Sequence, residues 1–111
     1  MIELIVKNYL STKLEIPIVF EHQQNLPKKF ILIQKTSGSR ENFLNSSTVA
    51  IQSYAESMFE AAKLNEKIKN LMYDLITVDE VSSVDLNSDY NFTDTETKQY
   101  RYQAIFDIHY Y

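Results

Sequence analysis

Residues 53–76 read SYAESMFEAAKLNEKIKNLMYDLI, and the hydrophobic period within this stretch decides the fold class. Ser53-x-x-Glu56 is a capping-box pattern, in which a hydroxyl and a carboxylate satisfy the free amides of a helix start. From Ala55 onward, Met58, Phe59, Ala62, Ile68, Leu71, Met72 and Leu75 recur at helical spacing, while Lys63, Glu66, Lys67 and Lys69 fall largely on the other side. The spacing predicts the longest helix of the chain over 55–76, its Met and aromatic stripe packed in a core.

On either side of that helix the period changes from 3.6 to two. Upstream, Val49, Ile51 and Ser53 alternate inward on a predicted strand over 43–53. Downstream, Tyr100, Tyr102, Ala104, Phe106, Ile108 and Tyr110 share one face of a strand that runs to the end of the chain, with Arg101, Gln103, Asp107 and His109 mostly on the other. Val81, Val84 and Leu86 suggest a more modest strand between them. Residues 87–99 are polar and unpatterned and read as a long loop.

Further upstream, Phe30-Ile31-Leu32-Ile33 is apolar at every position, as expected of a strand buried on both faces. Ser37-Gly38-Ser39 holds the only glycine and is expected to turn the chain through a positive φ, giving a loop over 37–43. Ile18-Val19-Phe20 is a short strand after Pro17, and Asn25-Leu26-Pro27 is a turn. Ile2, Ile5, Val6, Tyr9, Leu10 and Leu14 mark one face of a helix over 2–13, with Glu3 and Lys13 placed to suit its dipole. The expected architecture is a single α+β domain over 1–111, an antiparallel sheet of four to five strands with two helices packed on it, in the order αβββαββ.

Length and composition fit one domain with a real core: 111 residues, 44% hydrophobic and 13% aromatic. The longest apolar runs fall far short of the ~20 residues a membrane helix needs. The opening Met1-Ile2-Glu3 has no basic stretch, so no signal peptide and no membrane partner are expected. A net charge of −4 disfavours specific nucleic-acid binding. The charge is uneven. Residues 1–55 carry six Lys/Arg against four Asp/Glu, and 56–111 carry five against eleven. Asp79, Glu80, Asp85, Asp89, Asp94 and Glu96 are interrupted by no base, which describes a solvated face or a surface that orients a basic partner.

The chemistry of catalysis is not legible. There is no cysteine, hence no disulfide, thiol nucleophile or thiolate metal site. His22 and His109 lack any metal-ligand spacing, no nucleophile-elbow motif frames a serine, and one glycine cannot build a phosphate-binding loop. No enzyme activity is expected, and no catalytic, cofactor-binding or metal-binding residue is assigned. What the chain does have is contact chemistry. Eight tyrosines and six phenylalanines supply large apolar area, and those within 87–99 have least core to occupy.

The order of the segments Ile16–Phe43, Val49–Ile68 and Asp89–Ile108 resembles the tail terminator, or tail-completion, proteins of long-tailed bacteriophages and prophages. The pieces that carry the likeness are Pro17, the Leu26-Pro27 turn before a buried strand, Lys35-Thr36 before a glycine, Tyr54-Ala55 opening the long helix, and Asp94 followed by Arg101-Tyr102. Relatives often have two glycines after the Thr, where this chain has Ser37-Gly38.

The resemblance implies a virion structural protein and no cofactor. Its subunits form a hexameric ring on the end of the tail tube, stop tube polymerisation and meet the head connector. The implied partners are the chain itself, the tail tube protein and the connector. The implied setting is the bacterial cytoplasm during assembly and then the neck of the virion. Arg40, Asn42 and Phe43 on one loop, and Tyr90, Phe92 and Asp94 on the other, are the expected subunit or tube contacts. Alternatives are another neck component, such as a head-closure or connector subunit, and a small acidic protein-binding or regulatory module.

Overall fold

A computed structural model describes residues 1–111. The chain is α+β, in the order α1 (Ile2–Ser11), β1 (Ile18–Val19), β2 (Phe30–Glu41), β3 (Leu44–Ala55), α2 (Met58–Tyr73), a 3₁₀ turn (Asp74–Thr77), β4 (Val81–Asn91) and β5 (Tyr100–Tyr110). One five-stranded sheet has the spatial order β1-β2-β3-β5-β4. Both helices lie on the same face. Ile2, Val6 and Leu10 of α1 and Leu64, Ile68 and Met72 of α2 join Ile31, Ile33, Val49, Ile51, Ala104, Phe106 and Ile108 of the sheet in one buried cluster. Burying each of these side chains other than Ala104 stabilises the fold by roughly 1.5–3 kcal/mol. No helix is long and apolar enough to cross a membrane.

The αβββαββ order matches the sequence, but the sheet is mixed and not purely antiparallel. β1 runs parallel to β2, with Ile18 opposite Ile31 and Val19 opposite Leu32. The ten residues between these strands are enough to carry the chain back to the same end of the sheet. Pro17 directs the entry: it has no amide hydrogen of its own, and its carbonyl accepts the Ile31 N–H at 2.9 Å. The remaining pairs are all antiparallel.

Three boundaries differ from the sequence reading, each for a local reason. β3 continues to Ala55, so the long helix starts at Met58 and not at 55. Its N-cap is Ser57, whose Oγ accepts the Glu60 N–H at 3.1 Å, while Ser53 is buried in the strand. At the other end the last predicted turn of the helix is 3₁₀. The first helix likewise stops at Ser11, two residues short of 13, where the Thr12 Oγ1 donates to the Tyr9 carbonyl.

The largest correction concerns the two predicted loops. Residues 37–41 belong to β2, which is twelve residues long, and Gly38 has an extended backbone with no positive φ. The glycine instead accommodates a close approach: a Cβ there would lie 2.7 Å from Cε of Lys35 and 3.3 Å from Ser47 Oγ. The turn comes at Asn42-Phe43, with φ of 51° and 68°. Residues 87–91 likewise belong to β4, leaving only 92–99 as a turn, closed by the Asp94–Gln99 bridge. Polar strands that face solvent show no apolar alternation, so nothing in their composition separates them from loops.

Candidate assembly surfaces

The sheet's second face carries no helix. Toward the end where α2 begins, a hydrogen-bonded chain of side chains runs from the loop after β1 across β3, β5 and β4. His22 Nε2 lies 3.1 Å from the Tyr54 hydroxyl, which donates to Gln52 Oε1 at 2.8 Å. Gln52 Nε2 donates to Gln103 Oε1 at 2.8 Å, and Gln103 Nε2 donates to the Tyr90 hydroxyl. Buried amides are costly unless paired, and here Gln52 and Gln103 pair with each other. The polar path fixes the open face and holds Tyr90 in place.

Tyr90 leads to the first contact surface. Its ring meets Phe92 edge to face at 5.9 Å between centroids. Arg101 lies 4.5 Å over the Phe92 ring, donates from Nε to the Phe92 carbonyl at 2.8 Å and from Nη1 to the Tyr54 hydroxyl at 3.0 Å. Asp94 sits in the following turn, accepting the backbone N–H groups of Glu96 and Thr97. Hydrogen bonds from the Thr97 side chain and then from those amides, with the nearby Arg101 charge, hold its carboxyl below the usual range. Tyr90, Phe92 and Asp94 are therefore brought together, at the end of the sheet where α2 begins. A groove of about 550 Å³ opens beside them, bordered by His22, Leu26, Lys28, Tyr54, Lys98 and Tyr100.

The second surface is the β2–β3 arm. Residues Gln34–Glu41 are exposed throughout, and β1 pairs only with Ile31 and Leu32. Arg40, Asn42 and Phe43 are gathered at the arm's tip. Phe43 is 84% exposed, and Arg40 makes no ion pair. Both central turn positions have positive φ, as a type I′ hairpin turn requires, and glycine is the usual occupant of the second. A phenylalanine there adopts an unfavourable backbone conformation and buries little of its ring in the monomer.

The two predicted groups are not adjacent. Asn45 pairs with Tyr110 at the arm end of the sheet, and Ser53 pairs with Tyr102 at the other. These rows are eight residue steps apart along β3, roughly 26 Å. Sequence reasoning missed the organising part of Arg101, although its place on the same strand face as Gln103 and Asp107 is readable from the alternation. It also missed Met58, whose sulfur lies against Asn91.

Part of the acidic run, and Asp107 beyond it, is engaged within the chain. Asp89 accepts from Lys69 Nζ and Asn65 Nδ2 at 3.0 Å each, and Asp107 accepts from Thr48 and Asn87. Bonding to Glu66 first and Asp89 second raises the pKa of Lys69. No cluster of three or more His, Asp or Glu side chains is placed to hold a metal ion. A scan against models of known protein families finds no match, and a search of curated proteins finds no similar sequence.

Proposed function

We propose that this chain is a structural subunit of a long-tailed bacteriophage or prophage, a tail terminator that works by contact and not by catalysis. Copies assemble as a ring, a hexamer if the family likeness holds, on the end of the tail tube. The ring stops tube polymerisation and presents a surface to the head connector. The observation that carries this reading is the placement of two chemically unlike contact surfaces at opposite ends of one rigid sheet. One is the arm tipped by Arg40, Asn42 and Phe43; the other is the Tyr90-Phe92-Arg101 cluster with Asp94 beside it. A subunit that sits between two different neighbours needs two ends of this kind, and unlike ends favour head-to-tail contacts over self-complementary ones.

The engagement of two of the six acids weighs against a small acidic binding module. Asp89 and Asp94 are bonded within the chain, which leaves Asp79, Glu80, Asp85 and Glu96 without an ion pair. The test is electron microscopy of tails produced with and without the protein. Tails of unregulated length in its absence are expected, and free tails of normal length would contradict the proposal.

A further inference from the structure

The Phe43 ring is exposed on a residue whose positive φ favours glycine, and no contact inside the chain offsets that strain. Strain held at an exposed aromatic points to a role outside the monomer. The chain's own groove cannot take the ring. From position 43 to Tyr54, which lines the groove, is eleven residue steps along β3, roughly 36 Å.

That groove suits an aromatic guest. On the helix-free face Val19, Phe30, Leu32 and Tyr54 form a second, small buried cluster, with Leu26 packed against it. Phe30 and Tyr54 stack at 4.3 Å between centroids, and His22 stands edge-on to both. Being buried, the Phe30 and Tyr54 rings form the floor of the groove, and Leu26, Pro27 and Tyr100 supply its apolar walls. The Tyr54 hydroxyl donates to Gln52 and also meets Arg101 Nη1 and His22 Nε2, so it is saturated. A further aromatic ring adds to such a floor edge to face or offset, and needs no polar partner there.

The charges around the two features agree. Lys28, Lys98 and Glu56 border the groove, and Arg40 and Glu41 stand beside Phe43 at the arm's tip. None of these five has an ion pair within the chain. Each sign at the tip finds its opposite at the rim: Arg40 meets Glu56, and Glu41 meets the two lysines. An apolar centre inside a polar rim is the usual anatomy of a protein contact.

We infer that the Phe43 ring of one copy inserts into the groove between His22, Tyr54 and Tyr100 of a second copy, joining copies head to tail. This contact rests on the reading of the chain as a self-assembling ring subunit. An apolar knob that fits a pocket elsewhere on the same molecule makes a heterologous contact, which closes into a ring where the rotation between copies allows. Phe43→Ala is expected to weaken association of the copies at least about thirtyfold, the loss typical of a buried anchor, without lowering the monomer's thermal midpoint.

The chain contains no cysteine, so Phe43→Cys carries a single benzophenone label where the ring was. Labelled chain is mixed with an excess of unlabelled chain, added to tails that lack the protein, and illuminated. Photoproducts are expected on residues 22–30, 54–56 and 97–100, and the distance from a chain's own tip makes each of them a link between copies. If rings form but no photoproduct falls on these segments, or they fall on the tube protein instead, the inferred contact is wrong while the ring function stands. If sedimentation shows closed pairs and nothing larger, the contact is reciprocal, and the head-to-tail inference fails. If the unlabelled chain forms no ring on tails by electron microscopy, the ring function fails together with it.

Discussion

Asn42 and Phe43 occupy adjacent left-handed backbone positions at the tip of the β2–β3 arm, and only the first is a residue suited to that conformation. The Phe43 ring gains nothing from the monomer's core. Replacing Phe43 with Gly is therefore expected to raise the monomer's unfolding free energy by about 1 kcal/mol, read from the urea midpoint. The same change is expected to weaken attachment to tails. Equal or lower stability would show that the ring has packing partners within the chain.

Ser57 and Ser53 separate the observed helix start from the expected one. Ser57→Ala removes the hydroxyl that accepts the Glu60 amide and is expected to cost about 1 kcal/mol. Ser53 is buried and its Oγ has no partner, so Ser53→Ala is expected to be neutral or stabilising. Thermal unfolding of the two variants side by side decides between the starts.

Asp94 provides a local probe of the 92–99 turn. Its carboxyl is expected to titrate below the ordinary 3.8 in an NMR pH series, and Thr97→Ala, which removes the largest cause, moves it back up. Because the folded value is depressed, this contribution to turn stability is present above the unfolded pKa and is lost as pH falls through the folded one. A Thr97→Ala chain with an unchanged Asp94 titration would refute the arrangement.

Lys69 joins α2 to β4 through Asp89 at 3.0 Å, and its pKa is raised above 10.5. The sign is opposite to that of Asp94. Its stabilisation is fully present below the unfolded value and is lost as pH rises through the folded one. Denaturant midpoints are expected to fall above about pH 10.5, and Lys69→Met is expected to lower the neutral-pH midpoint and flatten that decline. An alkaline decline that persists unchanged in Lys69→Met would place its origin elsewhere, in the tyrosines.

The elements that face the core were legible, and those that face solvent were not. Val49, Ile51, Ala104, Phe106 and Ile108 announce their strands because one side of each is buried under a helix. Ser37–Glu41 and Asn87–Asn91 read as loops because their strands carry mainly polar side chains, which leaves no apolar period. β1 was legible as a strand but its parallel direction was not: two residues carry no direction, and the pairing depends on where Pro17 turns the chain. Both groups of candidate residues were named for lying on expected loops, and in the structure each is a local cluster. Their placement at opposite ends follows from the length of β2 and β3, which a misplaced turn at Gly38 concealed.

The proposed role is that of a cap on a growing tube. Its most direct test adds the purified protein to tail tube subunits polymerising in vitro and follows the length distribution by electron microscopy. Elongation is expected to stop, with a ring visible at one end of each arrested tube. Tubes that lengthen as they do without the protein, with no added density at either end, would contradict it.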